Sequence, residues 1–288
     1  MRTYFAIVCF LVLACGQARA QRLSFGDALK RKLVEYKVKA GNLANRRMMI
    51  TVKNNRQDAL NVELEAGRTF LPDDKFSQPF VVTHAVAMNL DKGEEKAFWI
   101  DACCGNSSAS APRNELTFSS TKMGSEQLLT TLQLMDKHKV VSHSLYQNVI
   151  WHFTNKHQIA SVFAHESDSV TNNLIMKTIC TLENIRPSWY SLKYAAAASG
   201  DAMDFSGIPE SIQGRLEFIN PSRENLQVEL TDISGKVINA LEMFVDYPAG
   251  NSTIPVALNV SDLPKGTYFI RVVNEKNRVL KDWEIDIG

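Results

Sequence analysis

The side chains with most chemical potential are two adjacent cysteines, a glutamine and a run of histidines. Cys103 and Cys104 close the apolar stretch FWIDACC, and Cys180 is the only other cysteine beyond the first twenty residues. A disulfide between neighbours closes a strained eight-membered ring, so the pair is not read as a bridge to itself. At most one of the two can pair with Cys180, which leaves at least one thiol unpaired or committed to other chemistry. Five of the six histidines fall within residues 138–165: His138, His143, His152, His157 and His165. They include no His-Glu-x-x-His pattern, and His152 and His157 are off the i, i+4 spacing that puts two ligands on one helix face. No metal or cofactor site is expected. A Cys/His hydrolase built from Cys104 and His152 stays open, because such pairs assemble from distant positions. A glycine-flanked nucleophile elbow and a glycine-rich phosphate loop are both missing.

The elements that must position these residues change period partway along the chain. Across residues 33–120, segments such as LVEYKVKAG, RMMITVKNN, LNVELEAG, PFVVTHAVAMNL and KAFWIDACC alternate or run β-branched, with breaks at NNRQD, GRTFLPDD and DKGEE. Ile50, Val52, Val62 and Leu64 are expected to share one core. Across residues 124–186 apolar residues recur at helical spacing after Ser125, Ser144 and Ser167 or Asp168, and Pro187 ends the pattern. Gln147 falls near the first turn of the second of these helices, beside its apolar stripe. The N-terminal domain, residues 21–195, is therefore expected to be α+β, strands first and helices after.

The first twenty residues carry Arg2, the apolar YFAIVCFLVLA and ARA before Gln21, the features of a secretory signal cleaved after Ala20. A lipoprotein reading with Cys15 lipidated fits its surroundings less well. Removing residues 1–20 takes two of 32 basic residues and none of 31 acidic ones, so the mature chain is nearly neutral. That excludes a dedicated nucleic-acid or anionic-membrane binder, which needs a basic field. No later stretch is long and apolar enough to span a membrane as a helix.

After a small-residue linker at 196–213, the chain from Gly214 to the end reads as short strands: RLEFIN, LQVELTD, KVINALEMF, TIPVALN, TYFIRVVN and VLKDWEIDI. Their spacing suggests an all-β, immunoglobulin-like sandwich over residues 214–288. The strings VELTDISGKVI and VALNVSDLPKGTYFIRVVN, followed by a lysine-bearing last strand, resemble the C-terminal sorting domain of type IX secretion cargo of Bacteroidota. Leu263, Gly266, Tyr268 and Lys281 match that pattern. Gly235 and Gly266 permit positive φ at turns. The resemblance implies passage through the periplasm, the type IX machinery as a partner, and release or anchoring at the outer cell surface.

Within SLYQNVIWHFTN, the string Tyr146-Gln147-x-x-Ile150-Trp151 resembles the glutamine motif of bacterial thioester domains, which sit on surface adhesins. In that family an earlier cysteine condenses with the glutamine amide, and the buried thioester acylates an amine on a host protein. The resemblance implies Cys103, or failing it Cys104, as the thiol and Gln147 as the acyl donor. Tyr146 and Trp151 would cover the site, and Cys104 would be left to bridge to Cys180. The expected function is a secreted or surface adhesion module with an unidentified surface or host ligand, rather than an enzyme. The alternative is a secreted hydrolase with a Cys/His or His–metal site.

Overall fold

The computed structural model describes residues 22–41, 47–164, 167–199 and 204–288; the signal segment expected at 1–20 and His165 lie outside them. The chain is mostly β, with strands first and helices after, followed by a second run of strands.

The N-terminal strands are β1 Leu23–Ser24, β2 Val34–Ala40, β3 Arg47–Asn54, β4 Leu60–Leu64, β5 Arg68–Pro72, β6 Phe80–Val82, β7 Val86–Leu90, β8 Glu95–Cys104 and β9 Thr117–Met123. Six of them close an antiparallel barrel in the order β2–β3–β8–β6–β5–β9, with Val38 opposite Phe118 at the seam. The others form a small sheet, β1–β4–β7. Alternate residues of each strand fill the interior: Val34 and Val38 of β2, Met48, Ile50 and Val52 of β3, and Ile100, Ala102 and Cys104 of β8. Val62 and Leu64 join the same cluster, so the four residues expected to share a core do so.

Two sequence expectations fail in this region. GRTFLPDD, expected to be a break, contains barrel strand β5. PFVVTHAVAMNL, read as one strand-like segment, holds two strands: β6 in the barrel, ending at Val82, and β7 in the small sheet. A short helix, α1 Phe25–Lys30, was not foreseen; Ser24 caps it by accepting from the Asp27 N–H. Arg68, almost fully buried, holds α1 in place. Its guanidinium grips Glu65 through two bonds of 2.7 and 2.9 Å, and the Glu65 carboxylate accepts the Gly26 N–H.

Three helices cover one side of the barrel: α2 Glu126–Lys137, α3 His143–Asn155 and α4 Ser169–Glu183, with a 3-10 turn at Ile159–Ser161. Their N-caps are Ser125, Ser142 and Asp168. Ser144, the cap expected for α3, lies inside the first turn; the Ser142 hydroxyl takes the role by accepting from the Leu145 N–H at 3.0 Å. Leu128, Leu132, Tyr146, Ile150, Ile175 and Ile179 pack into one apolar cluster, to which the barrel contributes Val81 and Cys103. Among the described residues no helix is long and apolar enough to cross a membrane.

The C-terminal strands are β10 Tyr190–Tyr194, β11 Pro209–Asn220, β12 Glu224–Asp232, β13 Val237–Tyr247, β14 Gly250–Asn259, β15 Gly266–Asn274 and β16 Val279–Ile287. They form two antiparallel sheets, β10–β11–β14 and β13–β12–β15–β16, whose buried side chains make one core. This unit reaches further back than residue 214. β11 starts inside the expected linker, and β10, assigned to the body, pairs with it, Tyr190 opposite Gly214. A Cβ at Gly214 would sit 2.8 Å from the Trp189 ring, so the glycine is what lets that indole lie against the strand. The Trp189 indole N–H donates to the Glu284 carbonyl and the Tyr190 hydroxyl to that of Asp286, tying β10 to β16.

Candidate functional site

The two cysteines are adjacent on β8, and successive strand residues point to opposite faces. Cys104 points into the barrel, in the cluster that holds Phe80 and Phe118. Cys103 points out, into the cluster built by the helices. The pair is thus divided between two cores, and only Cys103 lies on the helix-facing side.

The glutamine meets this strand end from α3. Opposite β6, Thr83 donates to the Asp101 carbonyl and Gly105 to that of Pro79, so alternate residues of β8 from 101 to 105 turn their backbone groups toward β6. Those of Cys104 face the other edge, where the described part of β3 begins only opposite Asp101. On that edge the Gln147 side chain bonds the Cys104 backbone on both its donor and its acceptor side. Its Oε1 accepts the Cys104 N–H at 3.0 Å and its Nε2 donates to the Cys104 carbonyl at 2.6 Å. Gln147 is 5% exposed, Cys103 1% and Cys104 fully buried. The amide is therefore polarised by a backbone N–H, held by a strand–side-chain clamp and shielded from water.

One turn earlier on α3, His143 brings its Nδ1 to 3.8 Å from the Cys103 sulfur. Tyr146 lies between His143 and Gln147 in sequence and packs in the same apolar cluster as Cys103. Its hydroxyl reaches Nε2 of His84 at 3.0 Å, and Nδ1 of His84 reaches the Thr83 hydroxyl at 2.9 Å. The Thr83 hydroxyl donates to the Asp101 carbonyl, so it accepts from His84 Nδ1–H, which leaves Nε2 to accept from Tyr146. Burial raises the Tyr146 phenol well above its ordinary value, reinforced by Asp136 and by Cys103.

The other residues named from sequence are placed differently. Trp151 is buried, but it packs on His157 and Phe205, with ring centroids 5.5 and 5.3 Å away, rather than in the cluster of Cys103. Cys180 lies near the end of α4, its thiol pushed up by burial and by Glu183. None of the three cysteines is in a disulfide, so the expected Cys104–Cys180 bridge is not formed; Cys104 faces the barrel interior, while Cys180 is on an outer helix. Cys104 and His152 do not form the hydrolase pair left open above. His152 Nδ1 lies 2.7 Å from the His157 carbonyl and its Nε2 2.8 Å from the Glu183 carboxylate, so both ring nitrogens are engaged away from Cys104. His157 bonds the Ser107 hydroxyl, and burial together with His152 lowers it to about 4. Among the described residues no group of three His, Cys, Asp or Glu side chains converges as a metal site.

In the C-terminal unit, Gly235 and Gly266 adopt φ of +81° and +154°. Leu263 packs against the shared core, and the Tyr268 hydroxyl donates to the Pro264 carbonyl at 2.7 Å, fastening the turn that opens β15. Lys281 donates to the Glu217 carbonyl and covers the Trp283 ring, linking β16 to β11.

His143 was named only as one of the clustered histidines, and His84 and the Tyr146 hydroxyl carried no sequence signal. The i, i+4 spacing of His143 and Gln147 was the signal available.

No curated protein matches the chain. Among solved structures, a beta-glucosidase from Kluyveromyces marxianus is similar at 11% identity over 84% of this chain and 44% of that one, with a TM-score of 0.21. The chain spans under half of that protein, and the likeness carries no argument. Residues 212–285 match the family described as the secretion system C-terminal sorting domain. That match makes the C-terminal unit a sorting domain of the type IX kind, and it supports secretion, to the medium or the outer cell surface, through that machinery.

Proposed function

We propose that the barrel-and-helix domain is a surface adhesion module carrying an internal thioester between Cys103 and Gln147, delivered by a sandwich-like C-terminal sorting domain. In the condensing step the Cys103 sulfur adds to the Gln147 amide carbon, the carbon–nitrogen bond breaks and ammonia leaves. An amine on a surface or host protein later attacks the acyl carbon, an amide forms and the Cys103 thiol is released. The Cys104 N–H, already on the amide oxygen, stabilises the negative charge that develops there in either step. The buried cluster around Cys103 keeps water from competing. The observation that carries this reading is the Gln147 clamp on the Cys104 backbone, which fixes the amide one strand position from Cys103, the cysteine on the helix-facing side.

Intact mass of the secreted protein tests it. The expected result is loss of one ammonia, absent in Cys103→Ala, with methylamine taken up in its place. A mature chain that retains the ammonia and takes up no methylamine refutes it. A hydrolase is the second reading, now resting on Cys103 and His143 rather than on Cys104 and His152. It is favoured if Cys103 stays a titratable thiol and turns over an acyl substrate.

A further inference from the structure

We propose that His143 is the proton carrier of this site, acting as general base toward the Cys103 thiol and as general acid toward the departing ammonia. The inference rests on the thioester reading and adds the group that makes its chemistry feasible. A thiol is a poor nucleophile until deprotonated, and an amide nitrogen leaves only when it receives a proton. One group close to both can do both.

His143 is placed for this. Its Nδ1 is 3.8 Å from the Cys103 sulfur, and Gln147 follows it by one helical turn on the same face. As the first residue of α3, His143 stands where the helix N-terminus favours the thiolate that it would create. The ring takes the S–H proton on Nδ1, which requires the tautomer with hydrogen on Nε2. The thiolate adds to the amide carbon, and the same Nδ1–H⁺ passes its proton to the nitrogen as the carbon–nitrogen bond breaks. Ammonia leaves and His143 returns to its starting state, so no other reactant is consumed. Run in reverse on a ligand amine, Nδ1 takes the ammonium proton and returns one to the released sulfur. Among the described residues, titratable groups at this end of α3 include Cys103 of β8, Tyr146 with its bonded His84, and Asp136 of α2, whose charge reaches Tyr146. Tyr146 is ill suited to the same task, since burial holds its phenol protonated.

The test uses the full-length secreted chain and methylamine. In His143→Gln, with folding checked by near-UV circular dichroism, ammonia is expected to be retained, or the methylamine reaction to be slower by about 10²-fold or more. Wild-type protein is expected to react with methylamine at a rate that bends with the titration of one group in the protein, beyond the dependence set by free amine, and the bend is expected to vanish in His143→Gln. A His143→Gln protein that loses ammonia and reacts at the wild-type rate overturns the role of His143 and leaves the thioester standing. Should that variant not fold, a wild-type rate that follows free amine alone overturns it equally. Wild-type protein that keeps its ammonia refutes both.

Discussion

The clamp between Gln147 and the Cys104 backbone has a stability that can be measured apart from any acyl transfer. In a Cys103→Ala background the amide cannot condense, and both hydrogen bonds persist. Gln147→Leu in that background keeps most of the volume and removes both partners from a buried N–H and a buried carbonyl. Each buried backbone group left unpaired costs about 1–3 kcal/mol, so the pair is expected to cost about 2–6 kcal/mol. With a shift of about 2–4 °C per kcal/mol for a domain of this size, the melting temperature of the N-terminal unit should fall by about 4–24 °C. Gln147→Glu gives the sign test. Its carboxylate still accepts the Cys104 N–H but faces the Cys104 carbonyl, which raises its folded pKa. A carboxyl with a raised folded pKa stabilises most below the unfolded value and loses that contribution as pH rises through the folded one. This variant should therefore lie closer to its parent near pH 4 than at pH 7. Urea unfolding of the parent and both variants at two pH values reads the result. A Gln147→Leu protein within about 0.5 kcal/mol of its parent would show that the clamp is not formed.

Four other outcomes follow from the structure. Cys104→Ala should still lose ammonia by mass, because Cys104 faces the barrel interior, whereas Cys103→Ala should not. His157, lowered to about 4, is neutral in the fold and protonates more readily unfolded, so stability is present above its unfolded value and is lost as pH falls toward 4; His157→Gln should flatten that part of an unfolding-versus-pH curve. Removal of residues 188–288 should retain the protein inside the cell envelope. Gly214→Val alone should destabilise the C-terminal unit by about 1–3 kcal/mol, read by unfolding of the tail, because its side chain collides with Trp189.

The order of strands and helices was legible because the hydrophobic period changes from two to helical spacing near Gly124, and the structure follows that change. The sorting strands were legible because each is bounded by turn residues, and six of them form where they were expected. β10 was missed for a physical reason. YSLKY is short and carries no alternation strong enough to separate it from a linker; its place is decided by distant contacts of Trp189 and Tyr190 with β16. β5 was hidden because GRTFLP looks like a turn, while Arg68 is buried only through its pairing with Glu65. Local propensity cannot report a charge whose cost is met by a partner.

The adjacent cysteines show most sharply where sequence reading stops. That Cys103 and Cys104 face opposite ways follows from strand geometry alone. Which of them faces the helices depends on register, fixed by Val81 opposite Cys103 and by the interior packing of Phe80 and Phe118. A slip of one residue would exchange the two thiols between the barrel core and the helix-facing side. The apolar content of β6 and β8 is therefore not separable from the chemistry. The residues that fill the barrel also choose the sulfur that lies beside His143. A substitution that unseats Phe80, such as Phe80→Ala, should accordingly weaken ammonia loss even though the residue points away from the site. Its effect on mass should track its effect on the Cys104–Gln147 clamp rather than on overall melting alone. Full ammonia loss in a Phe80→Ala protein whose clamp is broken would separate register from reactivity and refute that coupling.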